Sequence, residues 1–136
     1  MNVIIKSAVE EKRGPVVSTP YQKAYDFLDR IPYTSFQKLE LIKLEKFNTK
    51  TKQIAIKALT GTFVVVLEAH NLVDGFSVFE NPDDSAPLGN AIKERKLTFL
   101  RVNHATKGKT YTIRIHRDEL ASEGQLSSAN ISLIHL

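Results

Sequence analysis

The sequence predicts an all-β chain: a seven- to eight-stranded antiparallel β-sandwich, with a jelly roll as the candidate winding, preceded by an N-terminal arm that carries one short helix. Three observations carry this expectation. Apolar residues alternate at period two through several short runs, and turn-forming residues return about every 8–12 positions. One run, Phe63-Val64-Val65-Val66-Leu67, is apolar on both parities, as a central strand buried on both faces must be.

At 136 residues the chain has the length of one domain and enough bulk to bury a core without staples. The reading divides it into an arm, residues 1–35, and a sandwich, residues 36–136. Residues 2–7 suit a short strand, and residues 8–19 an extended linker that Gly14-Pro15 keeps out of helix. Thr19-Pro20 then offers an N-cap followed by proline at the first helical position. Tyr21, Ala24, Tyr25, Leu28 and Ile31 follow at helical spacing, so a helix over about residues 20–31, some three turns, is expected before Pro32 stops it. Tyr21, Tyr25, Leu28 and Ile31 are the candidate arm contacts.

From Phe36 the pattern turns to β. Lys38 to Phe47 is rich in helix formers, yet Leu39/Leu41 and then Ile42/Leu44 alternate, with a slip at Ile42 that a bulge would absorb. Residues 48–51 read as a turn, and Ile54, Ile56 and Ala58 alternate on the way back. Asp74-Gly75, set between Leu72-Val73 and Phe76 to Phe79, is a two-residue hairpin signal. Residues 81–90 are the clearest loop, Leu97–Val102 and Tyr111–Ile115 suggest a second hairpin, and a polar stretch over 118–128 leads into a last strand, 131–136.

Chemical motifs are sparse. With no cysteine there is no disulfide framework and no thiolate ligand. His70, His104, His116 and His135 stand at no metal-ligand spacing, so no metal and no cofactor is expected. Glu68 and His70 share a parity and form the one candidate acid–base pair, against the plainer reading of a solvated strand end. Glu80, Asp83 and Asp84 crowd the 81–90 loop without EF-hand spacing. Gly108-Lys109-Thr110 matches the end of a phosphate-binding loop, but Asn103 stands where its first glycine belongs and a strand follows. The expectation is a protein that is not an enzyme.

Charge is patterned in blocks. Residues 38–57 hold six lysines against two glutamates, residues 58–92 five acids and no Lys or Arg, and residues 93–117 eight Lys/Arg against Glu94. Lys93, Arg95, Lys96, Lys107, Lys109, Arg114 and Arg117 make up the candidate basic surface, with Arg101 beside them. Nucleic acid would read such a surface through its phosphates, but stacking would need exposed aromatics, and Phe99 and Tyr111 read as core residues. Lysines also discourage unwanted pairing at a strand edge.

Asp74-Gly75-Phe76-Ser77-Val78-Phe79-Glu80-Asn81-Pro82, followed by Gly108-Lys109-Thr110-Tyr111-Thr112-Ile113-Arg114-Ile115, is similar to bacterial pre-peptidase C-terminal β-sandwich domains. The shared pattern covers under half the chain and consists of general strand and turn chemistry. That resemblance implies a sandwich and a secreted binding module. The chain lacks the export signal of those modules and their usual acidic pair before the middle strand.

No run approaches the roughly 20 apolar residues of a membrane span. The expected location is cytoplasmic or within a virion, without a signal peptide or membrane insertion. The function expected from an arm, a sandwich and a surface of alternating charge is that of a non-enzymatic assembly subunit, as in a virus or phage capsid, decoration layer or tail. Its partners would be other protein subunits, a homo-oligomer first, with nucleic acid less favoured. The alternative is a small β-sandwich module that binds carbohydrate, peptide or nucleic acid.

Overall fold

A computed structural model of the chain describes residues 19–28, 30–80 and 86–136. The strand expected over 2–7 and most of the linker expected over 8–19 lie outside these residues, as does the first half of the 81–90 loop. The described residues form eight strands: β1 Lys38–Phe47, β2 Thr51–Lys57, β3 Phe63–Asn71, β4 Val73–Phe79, β5 Ile92–Glu94, β6 Leu97–Val102, β7 Thr110–Arg117 and β8 Ser127–His135. They form a five-stranded sheet, β1-β8-β3-β6-β5, and a three-stranded sheet, β2-β7-β4. Every pairing is antiparallel. A jelly roll winds eight strands as 1-8-3-6 over 2-7-4-5. The order here departs from it at β5, which pairs with β6 instead of β4.

The sandwich is therefore as expected, but its connections are not. The turns after β1, β3 and β6 carry the chain from one sheet to the other, so none of them closes a hairpin. Asp74-Gly75 lies inside β4, at a register shift between Val73 and Gly75, and the turn falls one step earlier at Leu72, whose φ is 55°. The paired hairpin of the chain is β5–β6, closed at Arg95-Lys96 with Arg95 at φ 59°. The slip at Ile42 also has a different origin. Leu39 packs toward the arm and Leu41 shares its parity, while Ile42 and Leu44 face the core, so both faces are apolar without a bulge. The bulge of β1 comes later, between Leu44 and Phe47, where Lys46 takes φ 60° and returns Phe47 to the core side.

Between the sheets lies one core, built from Leu44, Phe47, Phe63, Val65, Leu67, Val78, Tyr111, Ile113, Ile115, Ile131 and Leu133 among others. The second parity of β3, Val64 and Val66, faces the other way with Phe99 and Ile134, and the arm covers it. Phe63 through Leu67 are accordingly all shut off from solvent.

The arm's helix, α1, spans Pro20–Ala24 and passes into a 3-10 turn at Tyr25–Phe27. It is shorter than the three turns expected, because the chain reverses at Arg30, in the left-handed region at φ 51°, whose N–H bonds to the carbonyl of Tyr25. Its start follows the sequence rule. The Thr19 hydroxyl accepts from the Gln22 N–H and the Gln22 side chain accepts from the Thr19 N–H, a reciprocal capping box. Tyr21 is the keystone of this layer. Its ring meets Tyr25, Tyr33 and Phe36 edge-on at 5.1–5.9 Å, its hydroxyl donates to the Ile31 carbonyl, and its N–H donates to Ser132 Oγ on β8 at 3.1 Å. Burial, with the neighbouring Tyr33 and Tyr25, pushes its phenol far above the usual value, so it stays a neutral donor.

Candidate interaction surfaces

Glu68 and His70, the expected acid–base pair, stand at the far end of β3 on the arm side. Glu68 is bonded by Lys23 of the arm and lies 3.2 Å from His70, which in turn sits 2.9 Å from the Asn130 amide. His70 is well exposed. The group is a solvated polar network that ties the arm's first turn to the sheet, and no apolar pocket encloses it among the described residues.

Two further histidine pairs were not foreseen. His135 is fully buried at the end of β8, where Nδ1 accepts from the Leu59 N–H at 3.3 Å and Nε2 lies 3.0 Å from a Glu40 oxygen. Accepting at Nδ1 places the proton on Nε2, so the ring donates to the carboxylate and joins β1, β8 and the β2–β3 turn. Burial pushes the Glu40 carboxyl up, but the His135 bond and Lys38 outweigh it, and the net shift is downward. On the outer face of the smaller sheet, Ser77 Oγ lies 3.0 Å from His116 Nε2. Burial first, then Arg114, push His116 below the usual imidazole range against a weaker opposing pull from Asp74. A neutral imidazole against a hydroxyl is the beginning of nucleophile chemistry. Asp74, however, is engaged by Lys93 at 2.9 Å and makes no bond to the ring. Among the described residues no three His, Asp or Glu gather closely enough to hold a metal.

The candidate basic residues do not gather either. Arg95 and Lys96 form the turn before β6, while Lys107 and Lys109 lie beyond its other end. Lys93 pairs with Asp74, and Lys109 with Glu80 of the acidic loop, whose Asp83 and Asp84 lie outside the described residues. Arg114 lies over the Phe79 ring at 4.3 Å and reaches Gln53 on the outer face of the three-stranded sheet.

Arg117 has a different task. Its Nε donates to Ser127 Oγ at 2.9 Å, and one Nη donates to the carbonyls of Ser122 and Gln125, so the guanidinium laces together the loop that leaves β7. That loop, residues 118–126, is unusually well bonded for a polar connection. Asp118 N–H donates to the Leu72 carbonyl, Leu120 N–H to the Asp118 side chain, and Ser122 N–H to the Gln125 side chain. Asn48 and Asn71, from neighbouring turns, donate to the carbonyls of Glu123 and Leu126. At its tip Leu120 is 92% exposed, with Leu126 at 49% on the return. Asp118, Glu119 and Glu123 flank the tip, and none is ion-paired among the described residues. Beside the loop a cleft of about 640 Å³ opens against Lys50, Thr51 and His116.

The four candidate arm contacts do come together, on this chain's own sheet. Tyr21, Leu28 and Ile31 are buried there and Tyr25 is half-buried.

No family model matches the chain, and no curated protein matches its sequence. Among solved structures, that of Aeromonas hydrophila PliG, a periplasmic lysozyme inhibitor of g-type lysozyme, is similar at 15% identity. The match covers 76% of this chain and 90% of that one, with a TM-score of 0.49. The expectation of a virus or phage particle subunit is corrected here. The similar structure is that of an inhibitor, and the described residues of the arm pack on their own sandwich. No described helix is long and apolar enough to cross a membrane.

Proposed function

We propose that this chain is a non-enzymatic protein-binding module that docks through the 118–126 loop. One observation carries the reading: a loop whose backbone is bonded at many points holds a leucine out into solvent. An exposed leucine is ordinary by itself. A leucine on a loop fastened by Arg117, Asn48 and Asn71 is different, because little conformational freedom remains to be lost when a partner closes over it. The flanking carboxylates favour approach by a basic surface.

The test is site-specific photo-crosslinking in a cell extract, with benzoylphenylalanine at position 120 or, as control, at position 41, where Leu41 is also exposed. A discrete adduct at 120, absent at 41 and suppressed by excess unlabelled chain, is the expected result. Arg117→Ala should weaken binding of the purified partner while the β-sheet circular dichroism is retained. Identical labelling at the two positions would remove the loop from the reading.

A further inference from the structure

The described residues of the arm cover the outer face of the five-stranded sheet from β1 to β6 and stop short of β5. Two large apolar side chains remain in solvent at that margin, Phe27 at 47% and Ile92 at 59% exposure, on either side of Phe99. The Phe27 and Phe99 rings lie within 18° of parallel with centroids 6.1 Å apart. Between them and Ile92 is a groove of about 250 Å³, floored by Leu28 and Ile31 and walled at one end by Arg101. Scattered exposed apolar residues need no explanation, but two that flank one concavity do.

The groove lies at a sheet edge. Among the described residues β5 pairs with β6 alone, and all three of its residues are exposed. Such an edge offers main-chain groups to an added strand. The charge around it is mainly positive. Arg101 is the single ionisable side chain on the lining, and its Nε bonds to the neutral Asn103 amide rather than to a carboxylate. Arg95 and Lys96 follow at the hairpin turn, with Glu94 as the lone acid of the strand.

From these features we infer that the groove and the β5 edge take up an extended segment of a partner protein by strand addition. An apolar side chain of the segment enters the slot between Phe27, Ile92 and Phe99. A carboxylate two residues along, on the same side of the extended chain, meets Arg101. The alternation of the strand sets that spacing. A nucleic acid is a poorer occupant, because the lining offers one cation where a phosphate backbone needs a row.

The experiment uses fluorescein-labelled peptides in polarisation titrations, with amide NMR shifts to locate the contact. The probe is a short peptide of repeating Leu-Thr-Glu-Thr, which sets a glutamate two residues after each leucine on one side of the strand. Its controls are a leucine–lysine twin, a serine–glutamate twin and oligo-dT. Saturable binding of the leucine–glutamate peptide is expected, at least about tenfold tighter than any control, with shifts confined to Phe27, residues 92–94 and Phe99. Ile92→Asp and Arg101→Glu should each weaken it by about tenfold, and since Ile92 and Arg101 are both exposed, the melting temperature should hold. Absence of saturable binding, equal binding of the lysine twin or of oligo-dT, or shifts centred on residues 118–126 would each overturn the inference. None of those results bears on the loop 118–126 as a docking element except the last, which would support it.

Discussion

The two outer faces of the sandwich differ in the simplest way that strands can. On the five-stranded sheet the outward residues include Val64, Val66, Phe99 and Ile134, and a second apolar layer from the arm closes over them. On the three-stranded sheet the outward residues include Gln53, Arg114, Ser77 and His116, all at least partly exposed, with Thr112 buried among them, and no second apolar layer from the described residues closes over that face. Its one large apolar member, Phe79, is roofed by the Arg114 guanidinium instead of by another element. The difference is written in parity. β3 is apolar on both sides and needs two layers, whereas β7 alternates and needs one.

The sharpest way to break the contrast is Tyr21→Ala. It empties the centre of the covered face and leaves the Ile31 carbonyl without its hydroxyl, so a loss of about 3–5 kcal/mol is expected from urea denaturation. A loss below about 1 kcal/mol would show that the arm is an accessory and not a core layer. Ser132→Ala is subtler. The Ser132 hydroxyl is fully buried and accepts the Tyr21 N–H, so the variant strands one donor and should cost about 1–3 kcal/mol. The matching change on the open face, Arg114→Ala, should cost no more than about 0.5–1 kcal/mol, the size of an exposed cation–π contact. If it cost as much as Ser132→Ala, the open face would be structural too.

The smallest effect is a pH dependence at the seam where Glu40 meets His135. Glu40 has a folded value below its ordinary 4.5. Its contribution to stability is therefore complete above that ordinary value and is lost as pH falls through the lower, folded one. Wild type should lose stability more steeply than Glu40→Gln between neutral pH and about pH 3, measured as denaturation midpoints. Parallel curves would place the acid response elsewhere.

Much of this was open to reading in one dimension. The N-cap at Thr19 with Pro20 after it, the double parity of Phe63–Leu67 and the inward Tyr111/Ile113/Ile115 of β7 were all legible, because each depends on near neighbours in the chain. Both halves of the covered face were legible as well, the Tyr21/Leu28/Ile31 stripe and the spare side of β3, yet nothing local matched one to the other. The surface that the stripe covers therefore stayed open. His135 could have been found, since it shares its parity with Ile131 and Leu133 and so faces inward. The 118–126 loop could not: its composition is that of any polar connection, and its order comes from Asn48, Asn71 and Arg117, two of which lie about 50 or more residues away in the chain.

By itself the sequence determined most of the strand segments, though not β5 or the start of β8, as well as which faces of them are apolar and where the arm's helix begins, because side-chain alternation and capping act over a few residues. The tertiary structure alone decided which strands are neighbours. A short turn after an alternating strand serves equally for a hairpin or for a step across to the other sheet, and at β1, β3 and β6 it is the step. The choice rests on the burial gained when the whole sandwich closes, and that gain is shared among strands far apart in the chain.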